Sequence, residues 1–196
     1  MELLDVARSV VLVIDLQGKL MDMIVRPRRV IDGSVRLLTL AGMFGVPTVL
    51  TEQYAKGLGP THPEVRAAYD ALVSPKAYLD KTSFGCCGDP SFEPTLRSLR
   101  EGLAPEQIQV VVAGIEAHVC VMATVIELRR KGYPVHVCWE CVSGRGEEYL
   151  ERALARMTQA GAVITNHESV AFEWMRDKNH PRFKEVSRLF KGGQPS

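Results

Sequence analysis

The feature that most constrains the fold is a series of short apolar runs, rich in β-branched residues, that recur along the chain. Runs of this length without polar residues are typical of strands that are buried on both faces, as in a parallel sheet. We therefore predict a buried strand in each run. The predicted strands are Ser9–Ile14, Val46–Leu50, Gln109–Ala113, Val135–Trp139 and Ala162–Thr165.

Helical patterns separate these runs. Apolar residues between Val30 and Met43 recur with a period near 3.6, and Gly45 follows as a stop signal. We predict further helices around Leu96–Arg100, from Cys120 to Leu128 and from Glu147 to Ala160. The alternation predicts a three-layer α/β/α fold with a mainly parallel, Rossmann-like central sheet of about six strands.

Nothing in the sequence divides the chain, because no repeat, low-complexity stretch or linker is present. We expect a single domain over residues 1–196, with a core at about 9–190 and a frayed tail at 191–196. Two long irregular loops, Tyr54–Pro63 and Asp80–Pro90, interrupt the alternation of strands and helices. Loops of this kind within a compact domain are more often functional than accidental.

Composition and charge exclude several classes of protein. Lys plus Arg number 24 and Asp plus Glu number 23, so the net charge of +1 predicts no nucleic-acid partner. No apolar run approaches the roughly 20 residues that cross a bilayer, which predicts no membrane partner. The N-terminus lacks a basic leader with a cleavage site, and five cysteines are an odd number. We expect a cytoplasmic protein that acts on a small-molecule substrate.

Three chemically active residues follow predicted strands or lie in the irregular loops. Ligands of open α/β sheets bind beyond the carboxyl ends of the strands, where Asp15 and Cys120 lie. Lys81 lies in the predicted Asp80–Pro90 loop. A cysteine at the start of a helix is favoured as thiolate, a carboxylate can accept its proton, and a lysine can hold the charge pair. Taken singly, Cys120 is equally a small buried apolar residue, Asp15 a strand cap and Lys81 a solvated charge.

Together these residues carry a family resemblance. The chain resembles the isochorismatase-like cysteine hydrolase superfamily, which includes nicotinamidases, N-carbamoylsarcosine amidohydrolases and isochorismatases. The resemblance extends from about residue 9 to 190, and it implies one domain of this kind. The matching segments are Val13–Gln17, Thr51–Tyr54, Gly57–Gly59, Asp80–Phe84, Gly114–Cys120, Cys141–Arg145, Ala160–Thr165 and Glu168–Ser169.

The resemblance implies roles for individual residues. Cys120 would be the nucleophile, Asp15 its base, and Lys81 the residue that keeps Asp15 ionised and positions the thiolate. The backbone N–H groups of Glu116 and Cys120 would form the oxyanion hole, and the Ile115–Glu116 peptide bond would be cis. The expected substrate pocket consists of Gln17, Tyr54, Phe84 and His118.

Metal binding is not expected from the sequence. Nicotinamidases of the superfamily bind a metal through an Asp-x-His motif and a further histidine, whereas here the region after Thr51 has only His62 nearby. We therefore expect no metal and no cofactor. Cys138 and Cys141 form a CxxC motif, but its context favours buried cysteines at a strand end over a metal or redox role.

Other polar residues are expected to be structural. These are His136 and His167, and Arg145, which anchors a loop or contacts a neighbouring subunit.

The resemblance implies a cysteine hydrolase that cleaves an amide or ureido-type C–N bond of a small molecule through a covalent acyl-enzyme on Cys120. The alternative is a non-catalytic relative that binds a metabolite or a protein partner in the same pocket. The resemblance also implies a homo-oligomer, a dimer or larger.

Overall fold

The computed structural model describes residues 2–191, and six strands within them form one sheet. The sheet has the order β3-β2-β1-β4-β5-β6, and all neighbouring strands are parallel. The predicted parallel sheet of about six strands is confirmed. Of the expected tail at 191–196, residues 192–196 lie outside the described residues. The strands are β1 (Ser9–Ile14), β2 (Thr48–Gln53), β3 (Lys76–Lys81), β4 (Gln109–Gly114), β5 (Val135–Val142) and β6 (Val163–Thr165).

Helices cover both faces of the sheet. None of those described over residues 2–191 is long and apolar enough to cross a membrane. They are α1 (Gly18–Met21), α2 (Pro27–Phe44), α3 (Ala55–Leu58), α4 (Pro63–Asp70), α5 (Phe92–Ser98), α6 (Met122–Arg130), α7 (Glu147–Gln159), α8 (His167–Met175) and α9 (Phe183–Phe190).

The central strand β1 shows why its sequence is apolar throughout. Val11 and Val13 pack into one core cluster, with α2, α4, α8 and α9. Val10 and Leu12 pack into the other, with α5, α6 and α7. Every residue of β1 is buried because both of its faces are covered by helices.

The strand β3 was missed by the sequence analysis, which placed Asp80 and Lys81 in a loop. Both residues instead end β3, which pairs with β2 at the edge of the sheet. Along β3 the more exposed positions alternate with less exposed ones, so the strand lacks a continuous apolar run. A half-exposed edge strand gives no such signal, which explains the error.

Some predicted boundaries also shift. The second strand extends to Gln53, beyond the predicted end at Leu50. The predicted helix around Leu96–Arg100 ends at Ser98. The predicted loop Tyr54–Pro63 contains α3.

The end of β4 makes a close contact with the neighbouring strand. Gly114 has a φ of +138°, and a Cβ atom there would lie 2.3 Å from the carbonyl oxygen of Ile14. Only glycine allows both this backbone conformation and this approach of β4 to β1. Gly114 therefore sets the direction in which the chain leaves β4.

We expect Gly114→Ala to lower the free energy of unfolding by more than about 1 kcal/mol, because an alanine there meets both backbone strain and the Ile14 carbonyl. Urea denaturation followed by circular dichroism measures the change. The matched control is Gly18→Ala, since a Cβ at Gly18 meets nothing within 4 Å. Equal stabilities of the two variants would contradict this account of Gly114.

Candidate active site

The candidate site lies at the carboxyl edge of the sheet, where the strand order changes direction. β1 and β4 are neighbours, and the chain builds the sheet outward from them in both directions. Such a switch point is where open α/β sheets bind ligands. Asp15 follows β1 directly and Cys120 lies in the turn after β4, so the two residues flank this point. Lys81 reaches it from the end of β3.

Asp15 and Lys81 form an ion pair without access to water. Lys81 Nζ lies 2.6 Å from Asp15 Oδ2, and the two side chains are 1% and 0% exposed. The ammonium group also donates to Gln53 Oε1 at 2.8 Å and contacts two main-chain carbonyls of the following loop. The second carboxylate oxygen, Asp15 Oδ1, accepts a hydrogen bond from the Thr51 hydroxyl at 2.7 Å. A buried ion pair is tolerated only with such a complete set of partners.

The backbone at Asp15 adopts the left-handed conformation, with a φ of 51°. Tyr54, which follows β2, has a φ of 41° and the same handedness. Residues other than glycine rarely adopt this conformation, and those that do cluster at functional sites. The turn at Asp15 ends β1 abruptly and leaves the carboxylate between Thr51 and Lys81.

Cys120 lies in a π-helical turn, Ala117–Val121, that leads into α6, and it is 6% exposed. The pKa of the Cys120 thiol is raised to about 12, chiefly by burial and then by the negative charge of Asp15, while the charge of Lys81 opposes these effects. The expectation that the start of a helix favours the thiolate here is wrong, because burial and the neighbouring carboxylate dominate. The resting group is a thiol, so nucleophilic attack requires a base.

The backbone before Cys120 has the predicted cis peptide bond between Ile115 and Glu116. The Glu116 carboxylate accepts hydrogen bonds from Arg145 Nε at 2.6 Å and Arg145 Nη2 at 3.3 Å. This ion pair connects the turn after β4 to the loop after β5. Arg145 therefore anchors that loop, and the Glu116 side chain is occupied by it.

The expected pocket residues fall into two groups. Gln17 is fully buried. Its carboxamide nitrogen donates to the main-chain carbonyls of Gln53 and Gly59, and its carboxamide oxygen accepts a hydrogen bond from the main-chain N–H of Gln53. Gln17 therefore holds the loop after β2 in place. Tyr54 and Phe84 are exposed, at 52% and 66%.

His118 is half-buried, and its ring stacks on Tyr149 with the centroids 4.8 Å apart. Tyr149 is a further residue of this region, and we did not predict it from the sequence. The sequence offered one signal for it, namely an aromatic residue in the first turn of a predicted helix that follows a predicted strand.

The Glu52 carboxylate, near the end of β2, is occupied by hydrogen bonds within the protein. Glu52 Oε1 accepts hydrogen bonds from both the amide and the hydroxyl of Thr61, and Glu52 Oε2 accepts one from Tyr78. Among residues 2–191, one group of three potential metal ligands is present elsewhere, formed by Glu140, Cys141 and His167.

Comparisons with known proteins agree with this architecture. The family model described as the isochorismatase domain matches residues 9–169. "Isochorismatase domain-containing protein 2" of Xenopus laevis is 38% identical over 181 residues, which are 92% of this chain and 82% of the relative. The structure of the MAR1 ribonuclease of Caenorhabditis elegans has a TM-score of 0.88 at 35% identity and covers 100% of this chain and 95% of its own.

A more distant structure shares the fold. The YcaC gene product of Escherichia coli, described as an octameric hydrolase of unknown specificity, has a TM-score of 0.79 at 24% identity, with 96% of both chains covered. The family model spans most of the chain, and the Xenopus relative is well above 30% identity. This chain belongs to the isochorismatase family.

Proposed function

We propose that this protein is a metal-independent cysteine hydrolase that cleaves an amide or ureido-type C–N bond of a small molecule. The observation that carries the proposal is the water-excluded Asp15–Lys81 ion pair beside the buried Cys120 thiol at the switch point of the sheet. Proteins of the isochorismatase family are generally hydrolases, and a binding module has no need for these three groups together. The single domain and the cytoplasmic location remain predictions, and so does a reaction that uses no cofactor and no metal at the candidate active site.

The proposed reaction begins with proton transfer from the Cys120 thiol to Asp15. As the proton leaves, Sγ forms a bond to the substrate carbonyl carbon, and the C=O electron pair moves onto oxygen. The backbone N–H groups of Glu116 and Cys120 stabilise this oxyanion; one such donor is typically worth about 2.7–4 kcal/mol. When the C–N bond breaks, Asp15 returns the proton to the leaving nitrogen. Water then attacks the thioester with Asp15 again as base, which releases the acid and restores the thiol.

Lys81 acts in this scheme as a positioning residue. It donates to Asp15 Oδ2 and holds one carboxylate oxygen in place through the reaction. Thr51 holds the other oxygen from the opposite side. The carboxylate is thus fixed as a base, and the proposed mechanism needs no metal to activate the thiol.

The substrate is proposed to contact the exposed aromatic rings of Tyr54 and Phe84 and the half-buried ring of His118. Flat apolar surfaces around a polar reaction centre suit a small substrate with an apolar or aromatic portion. Gln17 supports Tyr54 through the loop that it binds. By analogy with the octameric E. coli protein, we also propose a homo-oligomer.

Two alternatives make different predictions. A non-catalytic relative would bind a ligand in this pocket without forming a covalent bond to Cys120. A ribonuclease, the activity named for the C. elegans protein, would cleave RNA. The net charge of +1 favours a small substrate over RNA, because affinity for phosphate backbones depends on excess positive charge.

We expect Cys120→Ala to lower kcat/KM by several orders of magnitude, because it removes the nucleophile of a unit whose members act together. The measurement is ammonia release from a panel of primary amides and ureido compounds, with mass spectrometry for an acyl group on Cys120. Cys87→Ala, which alters a half-buried cysteine outside the site, is the matched control.

Retention of more than about a tenth of kcat/KM by Cys120→Ala, a loss under about 1.4 kcal/mol, would exclude covalent catalysis by this residue. Turnover of RNA, without turnover of any amide, would instead favour the ribonuclease.

We expect Asp15→Asn to separate base catalysis from thiol reactivity. The Asp15 charge raises the pKa of Cys120, so its removal lowers that pKa and increases the thiolate fraction at about pH 8. Hydrolysis should fall by about 10²–10⁴-fold, the usual contribution of a positioned base. Alkylation of Cys120 by iodoacetamide should become faster, as measured by peptide mass spectrometry.

A merely structural role for Asp15 predicts a different pattern. The rates of hydrolysis and of alkylation would then both rise or both fall, because the whole site loosens or collapses. Circular dichroism of the variant establishes that it is folded. Unchanged hydrolysis in folded Asp15→Asn would contradict the role of Asp15 as the base.

A further inference from the structure

We propose that Glu140, Cys141 and His167 form a zinc site, separate from the candidate active site. Each residue offers one ligand atom, and these atoms all lie within 4.8 Å of one another. All three residues are buried. Cys141 belongs to the core cluster on one face of the sheet, and Cys120 belongs to the cluster on the other face. The two sites are therefore on opposite sides of the sheet.

The pairing of β5 with β6 brings these residues together. Glu140 and Cys141 lie near the end of β5, and His167 begins α8 immediately after β6. The Glu140 carboxylate accepts a hydrogen bond from the main-chain N–H of His167 at 2.5 Å. The His167 ring stacks on Phe190 of α9, with the centroids 5.5 Å apart. Both contacts hold the imidazole beside the carboxylate and the thiol.

One oxygen of the Glu140 carboxylate has no partner in the protein. Glu140 is 5% exposed, and its Oε2 atom is buried without a hydrogen-bond partner in the protein. His167 Nδ1 lies in close contact with Glu140 Oε1. A buried carboxylate oxygen without a partner is costly. A cation bound between the three residues removes this cost.

The donor set selects zinc over the common hard cations. Thiolate, imidazole and carboxylate are all zinc ligands, with bonds of about 2.0–2.3 Å. Calcium and magnesium take oxygen ligands almost exclusively, so a sulfur and a nitrogen donor disfavour them. Tetrahedral bonds of these lengths place the ligand atoms about 3.5 Å apart, which small side-chain rotations achieve from the present spacing. One carboxylate and one thiolate carry two negative charges, which neutralise the charge of Zn²⁺ at this buried position.

The surroundings indicate a structural role for this metal. Gly33 of α2 packs against the site, and a Cβ there would lie 3.0 Å from Cys141 Sγ. Cys138 lies on the same strand and in the same core cluster as Cys141, so a further sulfur is present in this part of the core. Zinc sites that are buried and closed to substrate are typically structural. Zinc here connects β5 to the start of α8.

Metal analysis of the full chain tests the proposal without any assay of activity. We expect protein stripped by a strong chelator to rebind roughly one zinc per chain after desalting, with a higher melting temperature. Cobalt(II) added in place of zinc should give a sulfur-to-metal charge-transfer band in the near ultraviolet.

Variants assign the ligands. Glu140→Gln keeps an oxygen to accept the His167 N–H but loses the charge, and Cys141→Ala removes the sulfur. We expect zinc affinity to fall by at least about tenfold in each. The control is Cys86→Ala, which removes a buried cysteine on the other face of the sheet. This variant should bind zinc as tightly as the wild type does.

The proposal is overturned if stripped wild-type protein takes up no zinc, or if folded Glu140→Gln and Cys141→Ala bind it as tightly as Cys86→Ala does. It is also overturned if the cobalt spectrum lacks the sulfur band. In those cases a proton shared between Glu140 and His167 is what holds the group together. Glu140→Gln is the smaller change and keeps the test valid if Cys141→Ala fails to fold.

Discussion

The ion pair between Asp15 and Lys81 is the interaction on which the candidate site depends. Lys81 Nζ connects the end of β1 to Gln53 at the end of β2 and to the carbonyls of Ser83 and Phe84 in the loop after β3. Removal of one partner of a buried pair commonly costs about 3–5 kcal/mol, because the other charge remains without compensation. The pair therefore makes the geometry of three strand ends interdependent.

The same pair influences the electrostatics around Cys120, the proposed nucleophile. Asp15 raises the pKa of Cys120 and Lys81 lowers it, while burial raises it most of all. A thiol that stays protonated at rest reacts more slowly with oxidants and alkylating reagents than a thiolate does. In the proposed mechanism the proton leaves only when a carbonyl carbon is present to accept the sulfur. Selectivity for the substrate then arises partly from the low reactivity of the resting site.

The parallel sheet separates the candidate active site from the proposed zinc site. On one face, the turn after β4 carries Cys120, and Arg145 holds this turn through Glu116. On the other face, the end of β5 carries Glu140 and Cys141 beside the start of α8. Because β4 and β5 are neighbours in the sheet, a change in the position of β5 affects both faces. The proposed zinc site is placed to stabilise this strand.

The sequence alone determined the class of fold and the types of residue available for catalysis. The β1 run predicted a strand with the observed bounds, because a strand covered on both faces has to be apolar throughout. Asp15 and Cys120 were found because residues that follow buried strands lie at the ligand-binding edge. The cis bond before Glu116 came from the family resemblance, since nothing in the residue types predicts it.

Only the tertiary structure decided the rest. β3 escaped prediction because an edge strand is half exposed, so Lys81 was assigned to a loop. Glu140 and His167 are 27 positions apart, and the pairing of β5 with β6 joins them. The protonation of Cys120 could not be predicted from its place before a helix, because burial and the distance to Asp15 exist only in the folded chain. Sequence patterns report local periodicity, whereas these properties depend on contacts between distant segments.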